Sequence, residues 1–486
     1  MSSPTEFKGS DRLDSLDAKG SRLFLHPAEV RGVFRKYRQL VYFILVIIFL
    51  TLPWLRINGH QAILLDIPQR RFAILGLTFW AHDGPMIFFV LGILTLSLAF
   101  VTAIWGRVWC GWGCPQTVFI DSVFRRIERW IEGDYIVRRR IAQSPMTAIT
   151  FAKKLGKWTL FVVISLIISH SFMAYFVGTG ELAQMIRQSP RENWTTFLIM
   201  SFITAVIAFD FGWFREQFCL IMCPYGRFQS VLMDENSLAV LYDEQRGEPR
   251  RGSVAKGQAT GDCVSCNKCV NVCPTGIDIR NGVQMECIAC TACIDACAEV
   301  MDKLHKPRGL IRYDSIAGIS GSPRRVWRPR TLVYMSLILT AIMALGIAVA
   351  NHQEIDITVL RAIGAPYQEI KLASGETEII NHFKLHLKNL SFARAGITPK
   401  LPAELQTRGY AIASPTSTFT VDGGKEDSPH IFVRFPKGDT QPGGQKDVSL
   451  DFVIELSDAS PADGESKDPT RRSLIIKKGV RLIGPL

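Results

Sequence analysis

The sequence predicts an α-helical membrane protein of five transmembrane helices, with a cysteine-rich cytoplasmic segment ahead of the fifth helix and an all-β domain behind it. Three observations predict this class. Five apolar runs approach or exceed the roughly 20 residues that cross a bilayer, eight cysteines form two runs of identical spacing, and the chain beyond residue 350 alternates in strand fashion.

At 486 residues the chain exceeds one ordinary domain, and its 48% hydrophobic share is gathered into those runs. They cover residues 39 to 56, 84 to 106, 158 to 178, 196 to 214 and 331 to 350, while the shorter run from Phe72 to Trp80 reads as interfacial. Arg31, Arg35, Lys36 and Arg38 precede the first span and ten basic residues separate spans two and three; the segments after spans one and three carry far fewer. Lys and Arg are retained on the cytoplasmic side. The N-terminus, the loop from 107 to 157 and the cysteine-rich segment are therefore expected in the cytoplasm, and everything after span five outside. Some 38 residues precede span one, which is too long for a signal-peptide core, so it is expected to stay as an anchor. The formal net charge is +12, yet residues 351 to 486 balance at 17 basic and 17 acidic. The excess belongs to loops beside an anionic lipid bilayer, and no nucleic-acid partner is expected.

The first cysteine run is Cys263, Cys266, Cys269 and Cys273, followed by Pro274; the second is Cys287, Cys290, Cys293 and Cys297. Each reads C-x-x-C-x-x-C-x-x-x-C, the spacing of paired 4Fe–4S clusters in which the fourth thiolate of each run ligates the other cluster. Cys263, Cys266, Cys269 and Cys297 are thus predicted on one cluster, and Cys287, Cys290, Cys293 and Cys273 on the second. Eight cysteines also suit disulfides or zinc, but zinc sites show separated C-x-x-C pairs and disulfides need an oxidising compartment. Ala298 stands where a second proline is usual, and thirteen residues part Cys273 from Cys287, details that affect loop geometry more than ligation.

The other four cysteines form a second pattern. Cys110 and Cys114 before Pro115 follow span two, and Cys219 and Cys223 before Pro224 follow span four, each as C-x-x-x-C-P. Phe119 and Phe228 each lie five residues beyond the second cysteine, so spans one and two read as a weak parallel repeat of three and four. If the span helix continues through each motif, cysteines at i and i+4 share a face, and two such faces present four thiolates to one ion. Soft tetrahedral sulfur suits Cu(I), zinc or iron–sulfur; each pair could also cycle as a dithiol, or simply pack helix ends. All three readings stay open.

Beyond Pro115, Phe119, Val123, Phe124, Ile127, Trp130 and Ile131 recur every three to four positions with Arg125, Arg126 and Arg129 between them. That predicts an amphipathic helix on the inner leaflet, or else one packed on the cysteine-rich segment. Within the spans, His170 and Asp210 are ionisable and so functional by default; His170 suits a quinol, a haem or copper, or a structural hydrogen bond. His60, His82 and His352 are similarly ambiguous, and His382 and His386 read as surface residues of a strand. There is no Rossmann or P-loop signature.

Glu354 to Val359, Thr377 to Leu390 and His430 to Phe435 read as strands, with turns at Asp422-Gly423-Gly424 and Pro442-Gly443-Gly444, which suggests a small β-sandwich serving as a docking module. The domain order is then a cytoplasmic segment 1–38, a four-helix membrane domain 39–214, a ferredoxin-like domain 215–330, the fifth helix 331–350 and an outward domain 351–486.

This arrangement resembles the cytochrome c oxidase accessory proteins called CcoG, FixG or RdxA. The resemblance covers nearly the whole chain, from the spans and the two C-x-x-x-C-P motifs to the eight ferredoxin cysteines and the terminal sandwich, which it makes immunoglobulin-like and periplasmic. It implies a bacterial inner-membrane oxidoreductase that reduces Cu(II) to Cu(I) for the copper centre of cbb3-type cytochrome c oxidase. Cys110, Cys114, Cys219 and Cys223 would then be the catalytic, copper-handling residues. The implied partners are copper carriers or chaperones, oxidase subunits or assembly factors, and a cytoplasmic or quinol electron donor. A quinol-linked conduit resembling NapH and NosR, and a non-catalytic assembly scaffold, are the alternatives.

Overall fold

The structure is a computed structural model describing residues 24–57, 60–68, 71–75, 77–80, 84–251, 260–350, 353–371, 377–391, 393–440, 444–457 and 472–485. His82, His352, Pro442 and Gly443 lie outside the described residues. The chain forms two compact units, residues 1–64 with 88–345 and residues 65–87 with 346–486.

Among the described residues, five helices are long and apolar enough to cross a membrane: Val33–Trp54, Met86–Trp105, Ala148–Val177, Trp194–Phe214 and Pro329–Ala350. In lipid a spanning segment must satisfy its own backbone, which only a helix or a closed barrel does. Two of the helices begin well before the apolar run, at Val33 rather than 39 and at Ala148 rather than 158. Arg35, Lys36 and Arg38, like Lys153, Lys154 and Lys157, are good helix formers, so the polar approach to each span coils with it. Large apolar side chains such as Phe43, Phe88 and Phe202 face outward, as helices do when their solvent is lipid.

The helices used below are α1 (Val33–Thr51), α2 (Gly84–Trp105), α3 (Val108–Trp112), α4 (Pro115–Phe119), α5 (Arg125–Glu132), α6 (Ala148–Val177), α7 (Trp194–Phe209), α8 (Pro224–Leu232), α9 (Ala292–Lys303) and α10 (Pro329–Ala350). A π-helical turn, Ile120–Phe124, joins α4 to α5, and two more, Asp210–Phe214 and Phe218–Met222, follow α7. The expected amphipathic helix therefore exists, and most of its apolar face packs into the bundle while Trp130 stays 81% exposed. Phe119 and Phe124 pack into the bundle, Phe124 4.8 Å from the ring of Phe161 on α6 and Phe119 5.7 Å from that of Phe211. Arg125 buries as well, because acids wait for it: it pairs with Glu216 and lies 3.8 Å from Asp121, while Arg126 stays exposed.

The ferredoxin-like segment is framed by two short antiparallel strands, Ala239–Tyr242 and Ile311–Asp314. It sits on the ends of the spans where α1 and α6 begin and α2 and α7 finish. Arg328 at the start of α10 holds this end together through the Ala103 carbonyl at 2.7 Å and the Asp234 carboxylate.

The terminal unit holds two antiparallel sheets. In one, Thr377–Asn389 pairs with His430–Pro436 and with Ile355–Arg361; in the other, Gln445–Ser457 lies between Arg394–Lys400 and Arg472–Ile483. The alternation read from the sequence is visible in burial: Ile379, Phe383, Leu385 and Leu387 point inward and meet Ile397, Leu450, Phe452 and Ile454 of the second sheet. Buried Asn381 ties the sheets together, donating to the Ile483 carbonyl and accepting its N–H, both at 2.7 Å. His382 bonds His430 through ring nitrogens 2.8 Å apart and stacks on Phe432; His386 lies against Ser428 and Glu426. Phe72 to Trp80 falls in a hairpin, Arg71–Ile74 against Leu77–Trp80.

Candidate metal centres

Two cavities in the ferredoxin-like segment sort the eight cysteines. One is lined by Cys263, Cys266, Cys269 and Cys297 with apolar walls from Met301, Leu310 and Ile311. The other is lined by Cys273, Cys287, Cys290 and Cys293, with Cys269 between the two and walls from Val240, Ile277 and Ile279. The crossed fourth cysteines follow from the fold: Cys297 rides on α9 behind Cys293, and the turn after Cys269 carries Cys273 toward the second run.

The loops repeat at the backbone level. Ser265 and Asn267 flank Cys266, Ala289 and Thr291 flank Cys290, and all four non-glycine residues adopt the left-handed region at φ between 51° and 62°. Each costs of order 1–2 kcal/mol. Such strain is kept where surrounding structure demands it, and here it curls each loop around its middle cysteine.

Burial pushes the thiols up, Cys269 to about 11 and Cys273 and Cys297 to about 12, so a bare thiol in these cavities keeps its proton and a thiolate needs cationic iron. Four soft donors, dry walls and turned loops fit a 4Fe–4S cluster in each cavity. Among the described residues, no three His, Cys, Asp or Glu side chains stand close enough to hold a single metal ion.

The two C-x-x-x-C-P motifs also match at the backbone level, though not as continuous helices. Cys114 and Cys223 each cap a new helix, α4 and α8, that starts on the following proline, and both have extended backbone (φ −67°, ψ 126°; φ −73°, ψ 110°). The N–H of Cys114 bonds the carbonyl of Trp109 at 2.8 Å and that of Cys223 the carbonyl of Phe218 at 2.9 Å, the same five-residue step. The span helix does not continue through either motif, because proline bars the preceding residue from helical geometry while suiting a helix's first position.

Even so, the motifs converge. The Gln229 side-chain amide on α8 donates to Cys110 Sγ at 3.0 Å, and the Tyr225 hydroxyl lies 2.6 Å from that of Thr102 on α2. Burial lifts the Cys219 thiol well above its ordinary value and the charges of Cys114, Cys110 and Cys223 add to that; burial also pushes Cys110 up to about 11 despite Gln229. All four are half-buried.

One cavity wall and motif one are in direct contact. Gly111, between Cys110 and Cys114, packs on the peptides of Ile288 and Ala289, between Cys287 and Cys290; a β-carbon there would stand 2.6 Å from both carbonyl oxygens. Tyr42 of α1 donates to the Gly111 carbonyl at 2.5 Å, Arg107 to that of Cys287 at 3.1 Å, and Arg38 to that of Cys290. None of these residues had a sequence signal beyond the glycine-rich spelling of motif one. Of the other residues read from the sequence, His170 bonds its own helix through Nδ1 to the Leu166 carbonyl at 2.7 Å, the local bond of a structural histidine. Asp210 accepts the Gln116 side chain at 3.0 Å and so braces the start of α4.

A family described as a 4Fe–4S dicluster domain matches residues 214–316, and one described as a 4Fe–4S binding domain matches residues 86–139 and 192–234, each stretch holding one C-x-x-x-C-P motif. The chain is similar to protein RdxB of Cereibacter sphaeroides, 37% identical over 450 residues, 87% of this chain and 91% of RdxB. Protein RdxA of the same organism is 37% identical over 386 residues, 76% of this chain and 80% of RdxA. The nitrogen fixation protein FixG of Rhizobium meliloti is 32% identical over 465 residues, 85% of this chain and 87% of FixG. Likeness of 32–37% over most of the chain, with 4Fe–4S domain matches and five membrane-spanning candidates, leaves one assignment: the chain belongs to the FixG/RdxA family of multi-pass membrane iron–sulfur electron-transfer proteins.

Proposed function

We propose that the chain reduces Cu(II) to Cu(I) from a bacterial inner membrane, for assembly of the copper centre of cbb3-type cytochrome c oxidase. The ferredoxin-like segment faces the cytoplasm in this reading. The terminal unit, an immunoglobulin-like sandwich in the periplasm, docks oxidase subunits, assembly factors or a copper carrier. Bound 4Fe–4S clusters supply one-electron carriage, and one electron converts each Cu(II) to Cu(I). A cytoplasmic donor or quinol supplies that electron.

The observation that carries the reading is the Gly111 contact, which sets a pair of half-buried thiols one backbone layer from the loop of Cys287 and Cys290. Thiolates favour Cu(I) over Cu(II), and Cu(I) accepts as few as two of them. Cys110, Cys114, Cys219 and Cys223 therefore need not converge on one point to serve it.

Anaerobic mixing of the reduced protein with Cu(II) tests this. The expected result is cluster bleaching matched electron for electron by Cu(I) trapped with a chelator, lost on replacing Cys219 and Cys223 by Ser while the cluster spectra persist. A quinone that oxidises the clusters while Cu(II) leaves them untouched would overturn it in favour of an electron conduit. One further reading has its own support: the 4Fe–4S match over both motifs suits a third cluster. Iron analysis separates the two, since that reading demands three clusters' worth of iron and loss of one in the same variant.

A further inference from the structure

A cavity of about 330 Å³ opens between the chain entering α1, the segment around α5 and the loop of Cys290. Seven of its lining side chains are Arg or Lys, against the two acids Glu29 and Asp121. Asp121 is already shared by Arg35 and Arg38, with Arg125 at 3.8 Å, so one carboxylate faces three guanidinium groups. Arg31 and Lys36 at the rim have no ion-pair partner among the described residues.

Arg38, Arg125 and Arg138 stand in the cavity wall, 4%, 8% and 5% exposed, and are held there by Asp121 and the Cys290 carbonyl, by Glu216 and by Glu128 in turn, so the wall is a fixed array of guanidinium groups. Planar guanidinium donors match phosphate oxygens, and basic pockets between membrane helices are where anionic headgroups seat. The cavity lies beside the first turn of α1, just ahead of the apolar run that begins at residue 39, and has room for roughly ten waters at about 30 Å³ each.

We propose that this cavity binds the phosphate group of an anionic ligand, supplied by a phospholipid headgroup or by free phosphate. It adjoins the second thiol quartet, whose Cys290 contributes to its wall, and stands whether or not copper is the electron acceptor.

The test is native mass spectrometry of the full-length, cluster-loaded protein in detergent, titrated with phosphatidylglycerol, cardiolipin, phosphatidylcholine and inorganic phosphate. Arg31→Gln with Lys36→Gln removes rim charge without touching the buried pairs. Arg126→Gln with Arg139→Gln removes the same charge from exposed positions outside the cavity. The expected result is preferential retention of the anionic lipids, weakened roughly thirtyfold in the rim variant, at about 1 kcal/mol per basic residue, and little changed in the control. Anionic lipid that resists phosphate identifies a headgroup site, and displacement by phosphate alone identifies a free-phosphate site. Equal retention of phosphatidylcholine, or equal loss in both variants, would overturn the proposal.

Discussion

Asp295 accepts the backbone N–H of Arg35 at 2.8 Å and that of Phe34 at 3.3 Å, so the first span is capped by a carboxylate 260 residues away in the ferredoxin-like segment. The helix supplies no cap of its own: Gly32 offers no side chain, and no acid stands in its first turn. A β-carbon at position 32 would lie 2.1 Å from Asp295 Cγ, so glycine there is what lets the carboxylate approach. Asp295→Ala is expected to cost about 1 kcal/mol, the usual worth of an N-cap. Limited proteolysis should find the ferredoxin-like segment of this variant looser on its spans, and unchanged cleavage would show that the cap does not hold the two together.

Gly111→Ala probes the contact between motif one and the Cys287–Cys290 loop. The added methyl must displace two backbone carbonyls rather than a flexible side chain, which places the cost at about 1–3 kcal/mol. We expect the variant to keep both cluster signals in electron paramagnetic resonance while passing electrons to its acceptor more slowly. Unimpaired transfer would place the route elsewhere.

Acid should weaken the protein in two stages. Burial and the charges of Arg138, Arg215 and Lys157 lower His26 to about 4 from 6.5, despite Glu128, so between those values the unfolded chain binds a proton that the fold refuses. Stability is therefore lost as pH falls through that window. Burial alone would raise Glu128, but Arg215, Lys157 and Arg138 bring it down to about 2 from 4.5; its contribution is full above 4.5 and drains as pH falls toward 2. His26→Asn should flatten the upper stage of a melting-temperature profile against pH and leave the lower. Glu128→Gln, which strands the buried Arg215 and Arg138, should cost about 3–5 kcal/mol at neutral pH.

What the sequence makes legible here is what repeats or runs on: apolar stretches, the two cysteine runs, the alternation of Thr377–Asn389. What it hides is non-local. Nothing near Arg35 announces Asp295, and nothing near Cys110 announces Gln229, because each partner arrives from a distant segment once the bundle has closed. Arg125 of α5 misleads for the same reason. Its setting describes a surface helix, as holds for exposed Arg126, and only Glu216, beyond the fourth span, and Asp121 make its burial tolerable. The break at Cys114-Pro115 and Cys223-Pro224 is legible from proline alone, which bars the residue before it from helical geometry.

Crossed ligation makes the last prediction. Cys273 belongs by sequence to the run of Cys263, Cys266 and Cys269, yet it lines the cavity of Cys287, Cys290 and Cys293, its Sγ 3.3 Å from Thr275 Oγ1. Cys297 makes the reverse journey on α9. Cys273→Ala should therefore remove one cluster's worth of iron and leave a spectrum that Cys297→Ala abolishes, the two variants being complementary. Were ligation confined to each run, every replacement of the first run would give one spectrum and every replacement of the second the other, so pairing Cys273→Ala with Cys287→Ala decides it. Matching spectra from that pair mean crossed ligation, and differing spectra mean that the cavities group thiols which the iron does not.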